Sequence, residues 1–127
     1  MPGLTVVSYN TMLAAFAGKP TPSHTIQQLS LHNNSPGTTG ANEVSGGGYA
    51  KANVTPSSFV DPTVAELVLA ADIEFDGTPG ATANHLGLWD GATFLGGRAL
   101  TGASVFNSEG KYVVKAGTKI VLTTVTP

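Results

Sequence analysis

Residues 65–75 read Ala65-Glu66-Leu67-Val68-Leu69-Ala70-Ala71-Asp72-Ile73-Glu74-Phe75. Every second residue (Ala65, Leu67, Leu69, Ala71, Ile73, Phe75) is apolar, and the residues between them form a mixed face. Successive side chains of an extended chain point to opposite sides, so a period of two marks a strand with one face in a core. Asp76-Gly77 then turns the chain.

Working outward, the same grammar recurs. Residues 25–32 read as a strand with Leu29 and Leu31 on one face and Gln28, Ser30 and His32 on the other. Residues 49–55 form the next, stopped by Pro56. Residues 83–89 run into Asp90-Gly91, a hairpin-type turn, and residues 94–100 follow at hairpin distance. Residues 112–115, Ala116-Gly117 and residues 119–125 read as a final hairpin, in which Ile120, Leu122 and Thr124 alternate with Val121, Thr123 and Val125. The one helix expected is residues 8–17, capped by Ser8 or Asn10 and ended by Gly18, with Pro20 and Pro22 forbidding its continuation. Six or seven short strands punctuated by turns imply an all-β, single-domain β-sandwich or barrel-like fold with one short N-terminal helix. Residues 1–24 are the helix and arm, and residues 25–127 the β-sandwich core. The helix covers a sheet edge or opening, or lies on a neighbouring subunit.

Length and composition narrow the function. A chain of 127 residues points to one domain. Charged residues make up 11% of it, against roughly 25% in ordinary soluble domains. Such a surface is poor at keeping a lone monomer in solution and suits a protein held in an assembly. The net charge is −2, and the six basic residues are scattered, which argues against phosphate-driven nucleic-acid binding. There is no cysteine, which removes disulfides and thiolate metal sites. No stretch approaches the roughly 20 apolar residues of a membrane span. Ala15-Phe16-Ala17 before Gly18 mimics a signal-peptidase site, but no Lys or Arg precedes it and polar residues 8–11 interrupt the apolar run.

Catalytic and metal chemistry find little support. His24, His32 and His85 are not spaced as ligand pairs. Asp72, Glu74, Asp76 and Gly77 imitate half of an EF-hand loop, yet the twelfth position is Ala83 and the pattern around it is strand. Gly46-Gly47-Gly48 lacks the Lys-Ser/Thr of a phosphate cradle, and no Gly-x-Ser-x-Gly elbow exists. We expect no enzyme activity, no cofactor and no metal. Residues 33–48, with Ser35-Pro36-Gly37 and the triple glycine, form a loop longer than packing requires, and it is the expected contact loop.

That loop also carries a resemblance. Leu29-Ser30-Leu31-His32, then Ser35-Pro36-Gly37-Thr38-Thr39-Gly40-Ala41-Asn42-Glu43-Val44-Ser45-Gly46-Gly47-Gly48-Tyr49-Ala50, resembles a family of small tailed-phage virion proteins. His85-Leu86-Gly87-Leu88-Trp89-Asp90, with Phe94-Leu95-Gly96-Gly97 and Ala99-Leu100, resembles the family's second block. The resemblance covers residue 26 to the C-terminus and implies a virion structural protein, made in the host cytoplasm, with no catalytic residues. Its members are head decoration proteins or minor tail and tail-fibre components. Compact size and the absence of a repeat or heptads favour a head decoration (cement) protein. It would be a homo-oligomer, expected as a trimer, on the outer surface of the major capsid protein lattice, stabilising whatever it binds. A minor tail or tail-fibre protein, partnered by tail proteins and acting in tail assembly or host adsorption, is the alternative. A glycan-binding or glycan-cleaving β-module, with Trp89 stacking on sugar and carboxylates nearby, is a third reading. Contacts are expected at Met12 and Phe16 on the helix, at Asn33, Asn34, Asn42 and Glu43 in the loop, and at Tyr49. Glu43, the one charge in the loop, caps a turn or pairs with a nearby base, and Tyr49 and Trp89 anchor the core or an interface.

Overall fold

The computed structural model describes residues 4–19, 24–60, 66–102 and 104–121. Helix α1 spans Val6–Ala17. The strands are β1 (Gln28–His32), β2 (Ala52–Asn53), β3 (Phe59–Val60), β4 (Glu66–Leu69), β5 (Ile73–Asp76), β6 (His85–Asp90), β7 (Thr93–Ala99), β8 (Lys111–Val114) and β9 (Lys119–Val121). A 3-10 turn, Pro56–Ser58, leads into β3. All strand pairs are antiparallel, in a four-stranded sheet β2-β1-β6-β7, a three-stranded sheet β3-β4-β9 and the pair β5-β8. The fold is all-β with one short N-terminal helix, as expected, and among the described residues no barrel closes.

The alternating stretch at residues 66–76 behaves differently from a single strand. It divides into β4 and β5 at a bend over residues 70–72, and the two halves enter different sheets. The expected final hairpin is also corrected, because β8 pairs with β5 and β9 with β4 rather than with each other. Both departures have one cause. Val68 faces Lys119, and Ile73, five residues on, faces Val114, five residues back, so the two ladders share one register. They are halves of a single long ribbon, broken where residues 70–72 meet residues 115–117. There the Asp72 carboxylate, not a ladder carbonyl, accepts the Ala116 N–H at 2.7 Å. The Leu69 N–H donates to Thr118 and its carbonyl accepts from Gly117, which keeps the strands in step across the break. Tyr49, Ala50 and Lys51 precede the short β2 as irregular chain, where a longer strand was expected. Ala65, residues 122–125, Pro20 and Pro22, which carried expectations from the sequence, lie outside the described residues.

The core lies between the four-stranded sheet and the ribbon. Leu29 and Leu31 of β1 sit opposite Leu88 and Leu86 of β6, so all four side chains share one face. They are buried with Leu69, Phe75, Tyr112 and Val114 of the ribbon and with Phe106. The β6–β7 hairpin forms as expected, with Gly91 at φ 57° in its two-residue loop. Its ladder slips between Leu88 and Trp89, where Leu88 faces Gly96 and Trp89 faces Phe94. Leu95 is thus the extra residue of a β-bulge in β7.

Helix α1 starts earlier than expected. Thr5 is its N-cap, and its hydroxyl accepts the Ser8 N–H. Ser8 is free for another task because Thr5 does the capping. Gly18 ends the helix in the left-handed conformation, as expected, and residues 18 and 19 donate to the Ala15 and Ala14 carbonyls.

Candidate interaction site

Strand β1 is buried on both faces. Ser30 and His32, expected on a polar face, are each 0% exposed. His32 Nδ1 lies 2.7 Å from the Ala41 carbonyl oxygen, which can only accept, so Nδ1 carries the proton. In the neutral ring Nε2 is then an acceptor, and it takes the Ser30 hydroxyl proton at 2.7 Å. Ser30 Oγ in turn accepts the indole N–H of Trp89 at 2.7 Å. The chain Trp89 to Ser30 to His32 to Ala41 runs in one direction and leaves no donor unmet. Burial lowers the His32 pKa, against smaller raising effects of the Ala41 hydrogen bond and the Glu43 charge. This keeps the ring in the neutral form that the chain of bonds requires.

Glycine makes the room for that chain. A Cβ on Gly87, the β6 residue facing Ser30, would collide with Ser30 Oγ and with His32 Nε2. A Cβ on Gly97 of β7 would collide with the ring of Pro36. The outer face of the sheet is therefore hollowed, and residues 33–44 fold back into the hollow. The Pro36 carbonyl accepts from Gly40 and Ala41, both at 3.0 Å. Asn33 N–H donates to Asn42 and Val44 N–H to Leu31, both at 3.0 Å. Asn42 takes the left-handed conformation at φ 64°, which asparagine tolerates better than most residues, and its amide donates to the Ser35 carbonyl. The loop is a third layer of the fold, with Pro36 and Val44 buried beneath it.

A second polar cluster closes the far side of the loop. Tyr49 donates its hydroxyl proton to Glu43 at 2.8 Å and accepts the Leu31 N–H at 2.9 Å. Lys51 Nζ lies 3.0 Å from the same carboxylate and 4.5 Å above the Trp89 ring. Burial raises the Tyr49 pKa, and Glu43 adds to the shift. The tyrosine ring stacks on Phe75 of the core at 6.2 Å.

Helix α1 lies outside this packing. None of its residues is buried, it carries no charged side chain, and its apolar residues are spread around it. Phe16 is 95% exposed, Leu13 64% and Val6 58%. The first turn of α1 is attached at the bulge. The Leu95 carbonyl accepts the Thr5 N–H at 2.9 Å and the Ser8 hydroxyl at 2.5 Å, and Leu4 forms a bridge with Gly96.

The residues singled out from the sequence thus fall into two groups. Met12 and Phe16 are exposed on α1, and Asn33, Asn34 and Asn42 are exposed on the outer rim of the loop. Glu43 and Tyr49 are half-buried and joined to each other. Glu43 pairs with Lys51, in keeping with a base nearby in sequence. Trp89 is half-buried and Phe94 packs edge-on against it at 5.1 Å. His24 contacts Asp90 at 2.9 Å and His85 contacts Asn84 at 2.7 Å. Asp76 and Glu74 meet Lys111, and Asp72 meets Lys115. Among the described residues no group of three His, Cys, Asp or Glu side chains is arranged to hold a metal, and no helix is long and apolar enough to cross a membrane. Sequence reasoning missed the hydrogen-bond chain through His32 and the bulge at Leu95. The signal for the first was a Ser-x-His pair on a strand whose partner offers glycine and tryptophan on the same face.

These features define a small all-β module, closed on one face by its own loop, with an uncharged apolar helix left outside its core. The family model described as "Gp80: Podophage GP4 fiber I protein gp80" matches residues 4–121, and the chain belongs to that family. It is a structural component of a phage virion. No curated protein and no solved structure matches it.

Proposed function

We propose that this chain is a subunit of the phage fibre, built into the tail apparatus, and that it acts in tail assembly or host adsorption. The family match supports this reading over head decoration, the first expectation from the sequence. The family match is the observation that carries the choice of fibre, and the uncovered, charge-free helix α1 supports the chain's being held in an assembly. A helix of 12 residues is marginal alone in water, and this one gains almost nothing from its own core. Its stability has to come from a neighbour, either another copy of the chain or a tail protein. In this arrangement α1, through Met12, Leu13 and Phe16, is the attachment end. The loop rim with Asn33, Asn34 and Asn42 is a presented face, held by the hydrogen bonds of Asn33, Pro36, Asn42 and Val44. Glu43 and Tyr49 hold that face in shape. No catalytic step or cofactor is part of this function.

Separating virions into heads and tails and counting the chain in each by quantitative mass spectrometry tests the proposal. A small fixed number of copies per tail is the expected result. Hundreds of copies in the head fraction would restore decoration of the capsid and end the fibre reading.

A further inference from the structure

We infer that the groove between the end of β7 and the turn joining β8 to β9 binds a carboxylate- or phosphate-bearing saccharide, with Arg98 as its principal contact. The groove has a volume of about 340 Å³ and is lined by residues 98–101 and 116–119. That is the lower end of the range for small-molecule sites, roughly 300–1,000 Å³, and suits one or two sugar rings.

Its walls come from two different sheets, and both are fixed. On one side Arg98 sits opposite Leu86, so it leaves β7 on the core face of the sheet, at the edge where no further strand follows β7 among the described residues. The chain beyond is held by the Leu100 N–H on the Asn84 carbonyl at 2.9 Å. On the other side the turn is tied to the ribbon by Gly117 to Leu69 at 2.9 Å, by Leu69 to Thr118 at 3.0 Å and by Ala116 to Asp72 at 2.7 Å. A seam between two rigid walls costs little to keep open when a ligand enters.

The lining has the character of an anion site. Arg98 and Lys119 are its charged residues, and no acid lines it among the described residues. Lys51, Lys111 and Lys115 each face a carboxylate within 4 Å, whereas Arg98 has no ion pair among the described residues. Its Nε donates to the neighbouring Ala99 carbonyl at 3.0 Å, so the two terminal nitrogens of the guanidinium are the ones that would meet a ligand. That planar fork matches a carboxylate or phosphate. Asp72, the acid tied to this wall, already accepts from Ala116 and lies 3.7 Å from Lys115 Nζ. The Thr118 hydroxyl donates to the Lys115 carbonyl at 2.7 Å, so its oxygen remains an acceptor for a sugar hydroxyl. Thr101 adds a second hydroxyl. Among the described residues no aromatic ring lines the groove, so charge and hydrogen bonds, not stacking, select the ligand. The saccharide identity rests on the proposed adsorption role, since a fibre subunit meets the glycans of a cell envelope; the anion selectivity does not.

The test is a titration of the ¹⁵N-labelled full chain with glucuronate, glucose 6-phosphate, inorganic phosphate and uncharged glucose, read as amide and Arg98 side-chain shifts. The expected result is saturable shifts confined to residues 98–101 and 116–119 for the two charged sugars and none for glucose. Arg98→Ala should weaken binding at least about tenfold, and Arg98→Lys, which keeps the charge and loses the fork, by less. An unchanged spectrum elsewhere shows that the variants fold. Equal responses to glucose, or an Arg98→Ala variant that binds as well as the parent, overturn the site. Inorganic phosphate binding as tightly as glucose 6-phosphate, or displacement of both sugars by a short poly-glutamate peptide at lower concentration, overturns the saccharide assignment. The titration needs no virion, so its failure is separate from the fractionation result that decides the fibre reading.

Discussion

At the scale of the residue, the chain is organised around what glycine leaves empty. Gly87 gives Ser30 and His32 their space, and the pair then receives Trp89 on one side and the loop carbonyl of Ala41 on the other. Gly87→Ala drives a methyl into two buried polar groups, so a loss of about 1–3 kcal/mol is expected, measured as a lower urea midpoint at unchanged slope. Fluorescence of the single tryptophan should shift with it, since Trp89 loses its partner. His32 supplies a pH dependence whose sign can be worked out. Its folded pKa is depressed, so between that value and the ordinary histidine value near 6.5 the unfolded chain binds more protons. Stability is then full above about pH 6.5 and falls as the pH drops toward the folded value. Burial also depresses His85, in the same direction, so the comparison that isolates His32 is His32→Asn. Asparagine still offers Ala41 a donor but does not titrate. The slope of unfolding free energy between pH 7.5 and 5 should be shallower in the variant, and an identical slope would exclude His32 as its source. The Glu43–Lys51 pair could be anticipated from sequence because its partners are eight residues apart. The burial of His32 could not, because the cover over it is a loop whose return depends on glycines more than 50 residues away.

At the scale of the element, period-two patterning located the strands and failed at their breaks. Residues 66–76 alternate through Ala70-Ala71-Asp72 without interruption, yet the strand bends there. Alternation records which face is apolar, and both halves keep the same face toward the core, with Leu69 and Phe75 buried. What breaks the ladder is a tertiary hydrogen bond from Ala116 to Asp72, which leaves no trace in local pattern. The helix shows the converse. Its capping glycine was legible, but its start was displaced because Thr5 is recruited by the bulge at Leu95. Thr5→Ala removes both the cap and a tether, with an expected cost of about 1 kcal/mol, concentrated in α1. Hydrogen exchange should show amides 8–12 opening faster in the variant while those of β1 and β6 keep their protection. Uniform loosening of all three would mean that the helix is coupled to the sheet more tightly than its exposure implies.

At the scale of the whole molecule, composition was the informative part of the sequence. Few charges and an apolar helix without a core to serve are what the proposed fibre role would require of a chain that packs against neighbours. Phe16→Asp tests this directly. Because Phe16 is 95% exposed, thermal stability of the free chain should change by no more than about 0.5 kcal/mol. Analytical ultracentrifugation of the purified chain and incorporation into virions should both report a loss of association. Full incorporation of the variant would remove α1 as the attachment end. The choice between head and tail was not written in the residues, since a surface that suits one assembly suits another. The tether between Thr5 and Leu95 joins positions 90 residues apart in the chain. At about 5–20 residues per second, the ribosome delivers the second roughly 5 to 20 seconds after the first. For that interval the uncharged, apolar N-terminal segment exists with no place to attach. Neighbouring nascent chains on one message, each carrying the same unseated segment, therefore have time to find one another before any of them has finished folding.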